Sequence, residues 1–274
     1  MSSLQKTIKY IAIAFAIFLS INIISGIIYG LSSLENIFHD DNNKVTRKLE
    51  ELEIKNNASV LNIDVSSVNL IIKEGNYLKA ETNNKYITIK QKQNSLSITE
   101  KKHHWFSNNK NKELIIYIPT NFSFENVVIT AGASKVNVDK LSTNNLYLEL
   151  GAGKVDINKL IVLKDTEIDG GAGKITIRSG DIHNLDLDMG VGSLSLTSKL
   201  TGNNYIDSGV GEMNLYLLGV LDDYRISLDK GIGSATIDGN NMSNDTKYGT
   251  GNNKLEIDGG VGSINIDFIE KSNN

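Results

Sequence analysis

One phrase returns along this chain at nearly constant intervals: ITAGASKVNV, LELGAGKVDI, IDGGAGKITI, LDMGVGSLSL, IDSGVGEMNL, LDKGIGSATI and IDGGVGSINI. The glycine before its small residue falls at Gly132, Gly151, Gly171, Gly190, Gly209, Gly231 and Gly260, in steps of 19, 20, 19, 19, 22 and 29. A spacing near 20 residues that tolerates insertions is the mark of a solenoid, because each unit is one coil that cannot bury its own apolar face.

Two short alternating runs flank each glycine corner. Before it stand pairs such as Leu146 and Leu148, Leu185 and Leu187, Ile226 and Leu228, Leu255 and Ile257. After it stand Val155 and Ile157, Ile175 and Ile177, Leu194 and Leu196, Ile264 and Ile266. Period-two alternation puts these inward and their polar partners outward. The corner residues Ala152, Ala172, Val191, Val210, Ile232 and Val261 are expected to face inward too. A third inward column is expected from Leu141, Leu160, Ile182, Leu200, Val220 and Met242. The expected fold is all-β: a parallel β-solenoid of about seven coils with repeats of about 19–20 residues, making a rod of about 34 Å at one strand spacing per coil. Proline removes a ladder donor, and the single proline, Pro119, lies outside the glycine-marked repeats.

GGAGK within IDGGAGKITI has the look of a phosphate-cradling loop, but the pattern fails. A P-loop needs a hydroxyl residue after its lysine, a glycine five positions before its last glycine, and a helix to follow. Here Ile175 follows Lys174, Ile168 fills the earlier position, and K-I-T-I-R alternates as a strand. No nucleotide is expected, and the net charge of -4 argues against nucleic acid as a partner. With no cysteine in the chain, disulfides, thiolate zinc sites and iron–sulfur clusters are excluded.

Between Lys9 and Glu35 no residue is charged, and YIAIAFAIFLSINIISGIIYGL is long enough to span hydrocarbon. Lys6 and Lys9 precede it and Glu35, Asp40 and Asp41 follow it. Positive charge stays in the cytoplasm, so the N-terminus is expected inside and the remainder outside. A cleaved signal peptide would have a shorter apolar run ending at a small-residue site; the anchor reading is preferred. The expected organisation is a cytoplasmic tail over 1–9, one transmembrane helix over 10–34 and a juxtamembrane stalk over 35–53, where Val45, Leu49 and Leu52 are spaced like one side of a short helix. A β-rich part follows over 54–130, either wider coils or an antiparallel cap, then the repeats over 131–269 and a tail over 270–274.

The order of motifs carries a resemblance. A membrane anchor, SSVNLIIKEG, a Y-I-T-I plus S-L-S-I pair, I-Y-I-P followed by V-V-I-T, and then G-A-G-K-V-D-I units occur in sequence. From roughly Leu52 to Ile269 the chain resembles the bacterial "putative adhesin" β-strand-repeat domain of Gram-positive cell envelopes, a domain of unknown function. The resemblance implies a parallel β-solenoid on a membrane anchor and supplies no catalytic residue.

Two candidate sites emerge. Two residues before each marker glycine stand Glu149, Asp169, Asp188, Asp207, Asp229 and Asp258, with Thr130 in the first copy. In register these form a ladder with neighbours about 5 Å apart. A cation such as Ca²⁺ is one reading, since hard ions seek several oxygens. Turn capping by Asp in D-x-G is the preferred one, because it explains aspartate there without a ligand. Lys154, Lys174 and Lys230 are close enough in sequence to compensate the charge. The second candidate is HHWF, with Trp105 and Phe106 as aromatic contacts for headgroups or a glycan, or simply a loop tip packed on the cap.

No nucleophile and base are arranged as in a known catalytic set. The expectation is a non-catalytic, membrane-anchored, extracytoplasmic module of the cell envelope, binding like an adhesin or scaffolding, without a cofactor. Its expected partners are the bilayer through the N-terminal helix and a cell-wall polymer or membrane protein. The alternatives are an accessory or sensory partner of an envelope-stress system, and a carbohydrate-active β-helix enzyme.

Overall fold

The computed structural model describes residues 48–52, 54, 58–101, 112–244 and 246–269. The anchor expected over 10–34, the tails and the HHWF segment lie outside these residues. Among the described residues no helix is long and apolar enough to cross a membrane.

The described residues are all-β apart from one short 3-10 turn, and solenoid-like, as the repeat predicts. Phe124–Ile177 is a continuous extended ribbon that turns successive corners without leaving strand geometry, and Leu185–Thr201, Asn203–Leu218 and Asn253–Ile269 each carry one further corner. Neighbouring coils pair in parallel, like on like. Asp188 lies beside Asp169 and Asp207, Val191 beside Ala172 and Val210, and Leu194 beside Ile175 and Met213. The alternating apolar residues form one continuous core, with Leu185, Leu187, Leu196, Leu200, Leu215 and Leu255 fully enclosed. In such an array a one-residue slip would turn every inward side chain outward, so the apolar pattern pins the register.

The corners depart from expectation. Ile232 is 75% exposed and Val261 45% exposed, and Ala152, Ala172, Val191 and Val210 are half-buried. They form an outward ridge, not an inward column. The inward place belongs to the residue before the marker glycine: Ala131, Leu150 and Met189 are buried there. The alternation breaks at the marker glycine, where the ladder register passes from Met189 to Val191 without Gly190. The second glycine of each corner, Gly153, Gly173, Gly192, Gly211, Gly233 and Gly262, then carries the turn on with φ between +143° and +157°. In the third column Leu141, Leu160, Ile182, Leu200 and Met242 are buried as expected, but Val220 is 46% exposed. Tyr224 takes over the enclosure near that turn: its ring is buried, and its hydroxyl donates to the Leu218 carbonyl and accepts from the Leu200 N–H.

Stack order and chain order differ at both ends. Asn253–Ile269, the last copy in the sequence, sits between Asn203–Leu218 on one side and Tyr224–Asp229 with Ile232–Ile237 on the other. At the other end Val60–Val65 lies between Ser95–Glu100 and the start of the Phe124–Ile177 ribbon, and Asn69–Gly75 lies between Glu113–Pro119 and that ribbon. The segment before the clear repeats therefore contains both wide parallel coils and antiparallel covering strands.

Those covering strands close the open ladders, which would otherwise be templates for aggregation. Ile87–Lys92 pairs antiparallel with Ser95–Glu100, Lys79–Thr82 with Glu113–Pro119, and Lys247–Tyr248 with Tyr224–Asp229. Glu50–Leu52 pairs antiparallel with Lys79–Thr82. Leu52 therefore lies on a paired strand, so the helical spacing noted for Val45, Leu49 and Leu52 does not extend to it, while the stalk expected over 35–53 falls mostly outside the described residues. Lys79 holds the strand with its Nζ 2.9 Å from Glu51 and 2.6 Å from Glu81. At the glycine-free corner the Glu100 carboxylate holds the turn instead, accepting the N–H groups of Ser66 and Ser67 at 2.8 and 3.0 Å.

At the glycine corners a methyl group on Gly192 would overlap the carbonyl oxygen of Gly173, and one on Gly211 that of Gly192. Gly239 has a positive φ but open space around it. Gly211→Ala is therefore expected to destabilise the fold by about 2–5 kcal/mol, from backbone strain plus overpacking, and Gly239→Ala by about 1 kcal/mol, from the backbone alone. Denaturant titration of both variants checks this; equal losses would contradict the close-approach account.

Candidate functional site

The outward faces of the strands before the corners form the most ordered polar surface of the protein. Two side-chain columns run across it. The first is the acidic ladder. Asp169, Asp188, Asp207, Asp258 and Asp229 are register partners in that order, and Glu149 occupies the same repeat position one coil before Asp169. The structure thus brings together all six acids that the repeat singled out.

What the ladder does chemically varies along it. The Asp229 carboxylate accepts the Gly231 N–H at 3.0 Å and the Asn244 side-chain amide at 3.1 Å, so turn capping holds there. Asp169 instead accepts the Tyr147 hydroxyl at 3.1 Å, and this bond to a carboxylate raises the tyrosine's own pKa. Asp188 has its pKa raised by partial burial and by the neighbouring charges of Asp186, Asp207 and Asp169. The expected lysine compensation takes another course: Lys154 Nζ lies 3.6 Å from Asp156, beyond the corner, where Arg178 also holds Asp156 at 2.6 Å. Among the described residues no three Asp, Glu or His side chains converge as a metal cage; a flat ladder spreads its oxygens along a line, whereas Ca²⁺ needs them around a point.

The second column lies two residues earlier on the same face. It runs Tyr147, Glu167, Asp186, Tyr205 and Glu256, one residue per coil. Sequence reasoning passed over it because its members differ in type; the signal was available in the fourth position before each marker glycine, which alternation also points outward. Glu167, Asp186 and Tyr205 are exposed. Its first four members, Tyr147, Glu167, Asp186 and Tyr205, line a groove of about 630 Å³, together with Val128 and a rim of Asn126, Asn145, Asp165, Asn184 and Asn203. The rim is a ladder in itself: Asn145 Nδ2 donates to Asn126 Oδ1 at 2.8 Å, Asn184 Nδ2 to Asp165 Oδ1 at 3.1 Å, and the Asn203 N–H to Asn184 Oδ1 at 3.0 Å. At the far end Lys254 Nζ donates to the Tyr205 hydroxyl at 3.1 Å, lies over the Tyr205 ring, and pairs with Glu256 at 3.0 Å.

The second sequence candidate, Trp105 and Phe106, lies outside the described residues. His183 is tied to Thr201, with 2.9 Å between Nδ1 and Oγ1, and takes a structural place in the third side of the coil.

The family model described as Toastrack DUF4097 matches residues 58–273. Among solved structures, a putative cell adhesion protein from Clostridium sporogenes is 17% identical, the match covering 81% of this chain and 99% of that one, with a TM-score of 0.35. A putative adhesin from Bacteroides fragilis is 15% identical over 82% of this chain and 98% of that one, with a TM-score of 0.48. A third, from Parabacteroides distasonis, is 14% identical over 81% and 96%, with a TM-score of 0.35. No curated protein matches the chain.

The raised pKa of Asp188 has a consequence for stability. Its folded value lies above the ordinary 3.8, so the fold disfavours the charged form. That cost is present above the folded value and disappears as pH falls below 3.8, where both states are protonated. Asp188→Asn is expected to raise the thermal midpoint at pH 7 by about 1 °C, given the weakness of exposed charge interactions, and to leave it unchanged at the acid limit. Thermal melts across this range check the sign.

Proposed function

The chain belongs to the Toastrack DUF4097 family, and on that premise we propose that it is a membrane-anchored, extracytoplasmic, adhesin-like binding or scaffolding module of the cell envelope. The observation that carries this reading is the in-register outer face: a rigid polar surface whose side chains repeat at the strand spacing and enclose a groove along the coil stack. Such a surface suits a ligand that is itself long and repetitive. The uncharged run between Lys9 and Glu35, with lysines before it and acids after it, supports an anchor that leaves this surface outside.

A carbohydrate-active enzyme is the competing reading, and the groove does hold a carboxylate pair, Glu167 beside Asp186. The pair stands side by side on one sheet face. Glycoside hydrolysis places its two carboxyl groups so that they flank the scissile bond. Two acids that both approach from below favour holding a sugar over cleaving it.

Two experiments test the proposal. The chain has no cysteine, so Ser234→Cys, at an exposed corner, introduces a single label site. In intact cells a membrane-impermeant maleimide is expected to modify it; labelling only after lysis would overturn the extracytoplasmic placement. Separately, the full-length chain in detergent micelles is expected to pellet with purified cell walls, and to do so equally in EDTA. A chain left in the supernatant would end the wall-binding reading in favour of a membrane-protein partner, and pelleting lost on chelation would restore a metal to the acidic ladder.

A further inference from the structure

We propose that the groove beside the acidic ladder binds a linear glycan carrying free amino groups, held between Tyr147 and Tyr205 with Glu167 and Asp186 beneath it. The proposal rests on the binding-module reading above and names the ligand class for its surface.

Four neighbouring coils each contribute one residue, in the order tyrosine, carboxylate, carboxylate, tyrosine. With one strand spacing per coil the two rings stand about 14 Å apart. Tyr205 is 41% exposed. A tyrosine ring offers an apolar plate with a polar edge, which matches a pyranose, whose C–H face is apolar and whose rim is hydroxylated. The asparagine ladder borders the plates and retains hydrogen-bonding capacity for such hydroxyls, since each carboxamide has more sites than the one or two bonds it makes to its neighbours.

Charge selects the kind of sugar. Glu167 and Asp186 stand together between the tyrosines, and the next column adds Glu149, Asp169, Asp188 and Asp207 alongside. The cations nearest this end are Lys254, already engaged by Tyr205 and Glu256, and Arg225 beside it on the outer coil, beyond the four coils of the groove. A uronate or phosphate polymer would meet like charge here, and a neutral glycan would leave the carboxylates uncompensated. A chain of amino sugars brings ammonium groups to these carboxylates. Asp188, whose pKa is raised partly by its acidic neighbours, would be relieved by such a ligand.

Spacing separates a glycan from a basic peptide. An extended peptide lying along the stack presents same-face side chains about 6.7 Å apart, against about 4.8 Å between coils, so the two repeats drift out of phase after one step. An extended pyranose chain advances per sugar by nearly the coil spacing, which lets one sugar sit over each coil.

The test is calorimetric titration of the full-length chain in detergent micelles with three probes: a β-linked glucosamine oligosaccharide, its fully N-acetylated counterpart, and an oligolysine of matching charge. The glucosamine oligosaccharide is expected to bind tightest and to weaken as salt is added. The double variant Glu167→Gln with Asp186→Asn is expected to lower its affinity about tenfold, from the loss of two partly screened charge contacts, and Tyr205→Ser about fivefold, from the loss of the ring. Each change is at the surface, and an unchanged thermal melt verifies the fold. Equal binding of the acetylated oligomer, tighter binding of oligolysine, or indifference to all these substitutions would each overturn the proposal. If the variants pellet with cell walls as well as the parent chain does, the groove is not the contact while the binding-module reading stands. If the parent chain does not pellet, the wall-binding reading falls, and the calorimetric titrations alone decide the ligand class of the groove.

Discussion

The close approach of backbone to backbone at the corners sets every other feature of this protein. Each second corner glycine lies with its α-carbon against the carbonyl oxygen of the equivalent residue one coil away: Gly173 over Gly153, Gly192 over Gly173, Gly211 over Gly192, Gly262 over Gly211 and Gly233 over Gly262. A side chain at any of these would force the coils apart and break the parallel ladders on both flanks. The first copy shows the boundary of the rule. Ser134 stands where the others have glycine, buried and with its hydroxyl unpartnered, at the end of the glycine series where the neighbouring coil turns through Ser66 and Ser67 instead.

Because the corners fix the coils in register, chemistry on this fold is organised in columns. A residue type repeated in the sequence becomes a ladder in space, as with Asp169, Asp188, Asp207, Asp258 and Asp229. Like charges at strand spacing repel, and the protein tolerates this by keeping the ladder exposed, by giving Asp169 a tyrosine donor and by letting Asp229 cap its own turn. The same geometry turns a non-repeating position into a local site. Tyr147, Glu167, Asp186 and Tyr205 share a column but not a residue type, and it is there that the surface forms a groove.

The ends follow a different logic. A solenoid whose coils stacked in chain order would leave its last ladder open. Here the terminal copy Asn253–Ile269 returns inside the stack, so Tyr224–Asp229 and Ile232–Ile237 form the outer coil, finished by the short antiparallel strands Lys247–Tyr248 and Asn240–Asn241. The inserted coil gains parallel partners on both sides. The long insertion between the last two glycine markers, which in the sequence reads only as a lengthened loop, is the connection that makes this return possible.

Much of this was legible in the sequence, because periodicity is a local property. The glycine spacing gave the coil length, the alternation of Leu185, Leu187, Leu194 and Leu196 gave the buried faces, and the D-x-G phrase gave the acidic ladder. Three features depended on the tertiary structure. The corner residues Val191, Val210 and Ile232 face outward because the alternation breaks at the marker glycine before them, and no count of apolar residues reveals where a ladder skips a residue. The exchange of the last two coils is a choice between neighbours with the same apolar and glycine pattern, so the pattern that specifies pairing cannot specify order. The groove joins Tyr147 to Tyr205 across nearly sixty residues of chain, and only stacking puts them on one surface. The sequence determined what each coil is; the packing of coil on coil decided which side chains meet.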